Sequence, residues 1–446
     1  MQARFSFLRD QLRNSFWFTP AVMTLGSVGL AVVMLTLDDH LSDEDLKTVP
    51  GLHTIVYSGG PDGAREVLGT IAASMITVAG VVFSITIVAL TLASSQFGPR
   101  LLERFTRDRG NQLTLGTFIA TFLYCLLVLR TIRTDQPESV PDVGVTVAVA
   151  LAIAGLSVLI YFIHHVSMSI QAPSLVASIG GELRNGIHHL FPDADHLEDV
   201  KESTPPDLPD AGDARRVEAL TSGYVQILDL EGLVALACEH DLQIRIEVRP
   251  GRFVVPSSTL AHAWPAARVT DELAADIAAA LVTGSRRTPV QDVEFPIRQL
   301  AEVAVRSLSP GINDPFTAST CVDEMSVGLC EVAGRTFPPR ALADPDGAVR
   351  VVIGDPVTFG RLIGVAFDQV RQCADFHAPV YVHLLEALTR IAGCVTRPDR
   401  MQPLLTEGRL VMEAARASVP SEADREGIEE RYDALVTAAS KGQGRT

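Results

Sequence analysis

Residues 70–97, TIAASMITVAGVVFSITIVALTLASSQF, run for 28 positions without a charged side chain. A helix of that length rises about 42 Å, more than the ~30 Å hydrocarbon core of a bilayer. Three further apolar runs accompany it, so that spans are predicted at 16–37, 68–95, 113–129 and 143–163. Four spans restrict the fold severely, because hydrocarbon satisfies no peptide group and only helices or closed barrels can cross it. Trp17, Phe18, Tyr161 and Phe162 lie near span ends, where aromatic anchors belong.

The apolar residues are unevenly placed. Mean hydropathy is +0.24, and the excess falls in roughly the first 165 residues. The expected fold is therefore membrane α-helical, with four transmembrane helices followed by a cytosolic α+β domain. The expected parts are a four-span transmembrane domain at 1–169, a juxtamembrane helix and acidic linker at 170–215, a small β-rich module at 216–269 and a mainly helical cytosolic domain at 270–446.

Charge sets the predicted direction of threading. Arg4, Arg9 and Arg13 precede the first span, and Arg100, Arg104, Arg107 and Arg109 lie between the second and third. The loop at 38–47, DDHLSDEDLK, is acidic. The positive-inside rule then places both termini in the cytosol. Arg130 and Arg133, after the third span, are the exception. The N-terminus reads as the lead of a first anchor rather than a cleaved signal, since the run after it is full length and lacks an A-x-A site.

The second span carries many hydroxyls. At 100° per residue, Thr70, Ser74, Thr77, Ser84, Thr91 and Ser95 fall on one arc of about 100°, together with Val81 and Val88. Thr86 and Ser94 fall elsewhere. Two readings compete. Small hydroxyl residues allow helices to pack closely in membranes. Alternatively, several copies of the span surround an axis, so that hydroxyl rings replace part of an ion's hydration and the valines form apolar constrictions. Both readings bury the stripe against protein. The spans contain no Asp, Glu, Lys or Arg, which disfavours a proton pump or ion-coupled carrier.

Beyond the spans, Leu175, Ile179, Leu183 and Ile187 recur every four residues, marking an amphipathic juxtamembrane helix with a break near Pro173. His188, His189, Asp193, Asp195 and His196 are metal-ligating types without a ligand spacing, and no metal site is expected from them. SGYVQILDL reads as a strand and EGLVALACEHD as a helix, and Pro250 and Gly251 form a turn between strands. RPGRFV followed by TLAHAW resembles in shape the modules that carry lipoyl or biotinyl groups, but no lysine stands at a turn, so no cofactor is expected. The rest reads mostly as helices. In SPGINDPFTA, Asp314 is a natural N-cap with Pro315 at the first helical position. That is a helix corner, or, with Asn313 and Asp314, an ion or subunit contact.

A net charge of −16 excludes a nucleic-acid partner, which needs a basic surface. Six cysteines without a CxxC pair fit a reducing compartment. Walker A, G-x-S-x-G and HExxH patterns are absent, and an enzyme is not expected. Three stretches together carry a family resemblance: residues 69–132, residues 288–318 (TPVQDVEFPIRQLAEVAVRSLSPGINDPFTA) and residues 222–251. They resemble a bacterial family of predicted inner-membrane proteins, domain of unknown function twenty-two fifty-four. The resemblance implies several spans and a cytosolic domain, without an assigned activity or site. The favoured function is then a homo-oligomeric, channel-like pore for small ions lined by the second span. The alternative is a membrane-anchored sensor or scaffold whose cytosolic domain binds a ligand or partner.

Overall fold

The computed structural model describes residues 17–40, 57–98, 108–132, 140–169, 171–191 and 211–443. The basic lead, most of the acidic loop, Arg100, Arg104, Arg107, Arg133 and the acidic linker with Asp193, Asp195 and His196 lie outside the described residues. The chain forms two units, 1–171 and 172–446.

The first unit contains α1 (Phe18–His40), α2 (Pro61–Phe97), α3 (Arg109–Leu129) and α4 (Asp142–Ser169). All four are long and apolar enough to cross a membrane. Each continues past its predicted apolar run at one end or both. α2, for example, starts at Pro61 and takes in Asp62, Arg65 and Glu66. A proline suits that first turn, where its missing N–H costs nothing.

The central helix is α3. It packs on α1, α2 and α4, and 44% of its most apolar stretch is buried against 17–22% for the other three. Gly116 explains the close approach of α1, since a Cβ there would lie 2.6 Å from the Met23 sulfur and 3.2 Å from Pro20 Cα. The Thr19 hydroxyl also donates to Gln112 Oε1 of α3 at 2.7 Å.

Polar ties hold α4 at both ends. The Asp38 carboxylate, near the end of α1, accepts from the Val143 and Gly144 amides at 2.9 Å each. A carboxylate there satisfies orphan donors and meets the positive end of the helix dipole. At the opposite end His165 Nε2 lies 2.6 Å from Asp108 Oδ2. The other oxygen of Asp108 caps α3 by accepting from the Gly110 amide at 2.9 Å. Residue 110 must be small, because a Cβ would come within 2.6 Å of His165 Nε2.

The second unit begins with α5 (Ala172–Leu190). Strands β1 (Arg215–Glu218) and β2 (Gly223–Leu228), helix α6 (Leu230–Glu239), and strands β3 (Gln243–Ile246), β4 (Phe253–Val254) and β5 (Thr259–Trp264) follow. Next come α7 (Asp271–Ala279), β6 (Leu281–Gly284), α8 (Glu294–Ser307) and α9 (Pro315–Gly334). The hairpin β7 (Ala341–Ala343) and β8 (Val349–Ile353) precedes α10 (Phe359–Cys373), α11 (Ala378–Cys394), α12 (Met401–Ser418) and α13 (Glu422–Gln443).

The strands form two sheets, ordered β1-β5-β3-β8-β7 and β4-β2-β6. The turn at Pro250 and Gly251 therefore does not close a hairpin. β3 pairs with β5 and, in parallel, with β8, whereas β4 pairs with β2 in the other sheet. β7 and β8 come from the stretch that reads as mostly helical, and they complete the sheet begun by residues 216–269. α5 likewise belongs to this unit. Leu175, Ile179, Leu183 and Ile187 are buried, and α5 packs on α9 and α8. Leu183 and Ile187 sit over Gly328 of α9, where a Cβ would meet them at 2.6 and 3.2 Å. Leu183→Ala should destabilise this unit by roughly 2–5 kcal/mol, as cavities at fully buried leucines do. Denaturant unfolding of the full chain, followed by a second-unit probe, would measure the loss, and an unchanged midpoint would contradict this packing.

Candidate functional site

α2 has two seams. The one used inside the chain consists of Ala72, Met75, Ala79, Val82, Thr86, Ala89 and Ala93, which are buried or half-buried. Their steps of three and four are those of a bundled helix, and four of the seven are alanine, which permits close approach. Thr86 lies here and donates to Val82 O at 2.8 Å.

The second seam is Thr70, Ser74, Thr77, Val81, Ser84, Val88, Thr91 and Ser95. All eight are exposed, Val81 by 53% and Val88 by 56%. Its steps alternate four and three throughout. Thr70, Thr77, Ser84 and Thr91 each precede a member of the first seam by two residues, and averaged at 100° per residue the seams lie about 160° apart around the helix. Among the described residues, the chain's own bundle leaves this stripe uncovered. The hydroxyl face points away from α3, whatever covers it.

Several of its hydroxyls are already spent as donors. Thr77 donates to Ala73 O at 2.7 Å, Thr91 to Ile87 O at 2.9 Å and Ser95 to Leu92 O at 2.8 Å. A hydroxyl that gives its proton to its own helix keeps its oxygen lone pairs. The seam thus offers acceptors outward, which suits a cation, and its bonded protons make it tolerable to hydrocarbon.

The second candidate, the corner before α9, holds a helix cap. The Asp314 amide donates to Ser307 O at 2.7 Å. The carboxylate accepts from the Thr317 amide at 3.1 Å and the Thr317 hydroxyl at 2.5 Å. Asn313 holds φ +52°, a left-handed conformation that asparagine tolerates better than most residues. Both residues serve the turn. Among the metal-ligating types noted above, His188 contacts Arg335 through Nδ1 at 2.7 Å, which is a tie between α5 and the end of α9.

Sequence reading missed the densest charge cluster among the described residues, which gathers around Glu294 of α8. Glu294 is 1% exposed and touches four arginines, Arg249, Arg287, Arg298 and Arg361. They come from the 249–252 turn, the stretch before α8, α8 itself and α10. The spacing of these segments in sequence carries no signal. The only hint is a glutamate at the start of a helix with an arginine four residues later.

Four membrane-length helices joined to an α+β unit define a multi-pass membrane protein. The chain belongs to the family described as Predicted membrane protein (DUF2254), whose model matches residues 13–390. It is 31% identical over 422 residues to the uncharacterized protein Mb1321c of Mycobacterium bovis, covering 93% of this chain and 79% of that protein. The same figures hold for the uncharacterized protein Rv1290c of Mycobacterium tuberculosis. No solved structure matches the chain.

Asp314→Ala should cost about 0.5–2 kcal/mol of stability, the usual loss for a helix cap. Thermal unfolding of the variant beside wild type measures this. A functional defect with an unshifted midpoint would return the corner to the list of sites.

Proposed function

We propose that the protein is a subunit of a homo-oligomeric, channel-like pore for small ions, with the outward seam of α2 turned to the axis. The observation that carries this reading is the second seam itself. Eight residues keep bundle spacing over the length of the helix, on the face that the described residues leave uncovered. A helix that met only lipid on that side would have no use for a periodic row of hydroxyls. A partner copy satisfies the spacing, and a ring of copies turns Thr77, Ser84 and Thr91 into acceptor rings with Val81 and Val88 between them. Apolar rings of that kind close a pore by dewetting.

In the same proposal the membrane is the bacterial inner membrane and both termini are cytosolic, following the arginine pattern. A reporter active only in the periplasm, fused after residue 446, should stay silent. Strong activity would reverse the topology.

The pore is tested at Val88. Val88→Ser makes one constriction wettable and should raise resting conductance. Ile87→Ser, exposed as well but about 100° round the helix, should change conductance much less. Single-channel currents from wild type and both variants in one lipid decide the matter. Silence from all three with assembly intact would discard the pore and leave a membrane-anchored sensor or scaffold.

A further inference from the structure

Around Glu294, positive charge exceeds negative. Oε1 of this buried carboxylate accepts from Arg249 Nε at 3.2 Å and Arg361 Nε at 2.5 Å. Oε2 faces an Arg298 nitrogen at 3.4 Å and an Arg287 nitrogen at 3.5 Å. Arg287 also pairs with Asp292, and Arg249 with Asp355. Arg252 joins Asp355 from the outside at 3.5 Å. Among the described residues, five guanidiniums thus share three carboxylates, an excess of two positive charges in a chain of net charge −16.

The donor count is as unbalanced as the charge. A guanidinium carries five N–H donors and a carboxylate about four lone-pair positions. The Nε of Arg298 is buried with no hydrogen-bond partner among the described residues, and so is the Thr288 hydroxyl. A buried donor left unmade costs about 1–3 kcal/mol, so each needs an explanation. Burial also pushes the Asp292 carboxyl above the usual range despite Arg287. The cluster is open to solvent on one flank, because the side chains of Arg252, Arg298 and Arg361 are 56%, 41% and 37% exposed.

Guanidiniums repel one another when they outnumber their carboxylates in a partly buried site. The missing component is a compact anion that accepts several hydrogen bonds at once, and planar guanidinium forks match phosphate oxygens best. We propose that the arginine cluster around Glu294 is a binding site for a phosphate-type oxyanion, with Arg298 and Arg361 on its open side and Arg252 at its rim. Glu294 is the post that holds the forks apart and in register. The site is independent of the pore reading, and its test reads no current.

The test uses the full chain in nanodiscs. In discs of zwitterionic lipid, inorganic phosphate is titrated calorimetrically against a chloride background of equal ionic strength. Wild type should show saturable binding. Arg298→Gln should weaken it about tenfold or more, the worth of a charge-assisted hydrogen bond, and Arg252→Gln should weaken it less. Arg409→Gln, at a distant exposed pair with Glu413, should bind as wild type does. Should Arg298→Gln fail to unfold cooperatively, Arg252→Gln decides, because among the described residues its side chain forms an ion pair with Asp355 alone. In a second arm, discs containing anionic phosphatidylglycerol replace free phosphate, and the unfolding midpoint is read. A rise in wild type that is lost in the variant assigns the anion to a lipid headgroup, whereas binding in the first arm assigns it to a free ion. No saturable binding and no midpoint shift, or equal effects in wild type and both cluster variants, would overturn the site.

Discussion

Hydrocarbon offers peptide groups no partner and gives helices no hydrophobic reason to associate. Everything that holds the first unit together must therefore come from close packing and from a few polar contacts. The structure uses both around α3. Gly116 removes the side chain that would keep α1 away. Asp38 ties α1 to the start of α4, and Asp108 with His165 ties the start of α3 to the end of α4. Each tie joins elements far apart in sequence and fixes their relative height, which small-residue packing alone leaves free to slide. The carboxylates sit at span ends, where water and helix dipoles make a charge affordable.

The same constraint gives α2 its significance. Of the four membrane-length helices it is the longest, at 37 residues, yet it is covered mainly along its alanine-rich seam. A helix needs one seam to belong to its own bundle. A second seam about 160° away adds little to the folding of a single chain, because the described residues leave it exposed. Substitution along the first seam acts on the stability of the protomer. Substitution along the second leaves the protomer intact and acts only on whatever lies beyond it.

How far the fold was legible follows from the range of the interactions. The four spans are readable because length and hydropathy are local quantities, and strand β2, helix α6 and the Asp314 cap are readable for the same reason. The sheets are less so. The turn at Pro250 and Gly251 looks like a hairpin because turn chemistry reports chain reversal and not pairing. The strands on its two sides enter different sheets, and β8, about a hundred residues on, takes the place beside β3. The apolar stripe of α5 is visible in sequence, but its partner is not: Gly328, which receives Leu183 and Ile187, is an ordinary small residue until the helices are brought together. The direction of the α2 hydroxyls is likewise invisible in a helical wheel, which separates faces and cannot say which one the bundle takes.

The cluster at Glu294 is the extreme case, since its arginines are drawn from four segments. Its physical logic also differs from that of the ties in the membrane unit. A buried ion pair is weak evidence for stability, since well-packed apolar residues of similar volume often do as well. A surplus of guanidiniums around one carboxylate is harder still to justify on stability grounds, because each added arginine brings repulsion along with its bond. Gly251 sharpens the point. It holds φ +84°, and a Cβ there would run into the Asp292 carboxylate and the Arg287 guanidinium. The turn that delivers Arg249 and Arg252 is thus pressed against the pair that flanks Glu294 as closely as a backbone allows. Such close approach orients the arginines while leaving the outer ones uncovered. Stability alone would have been served by covering them.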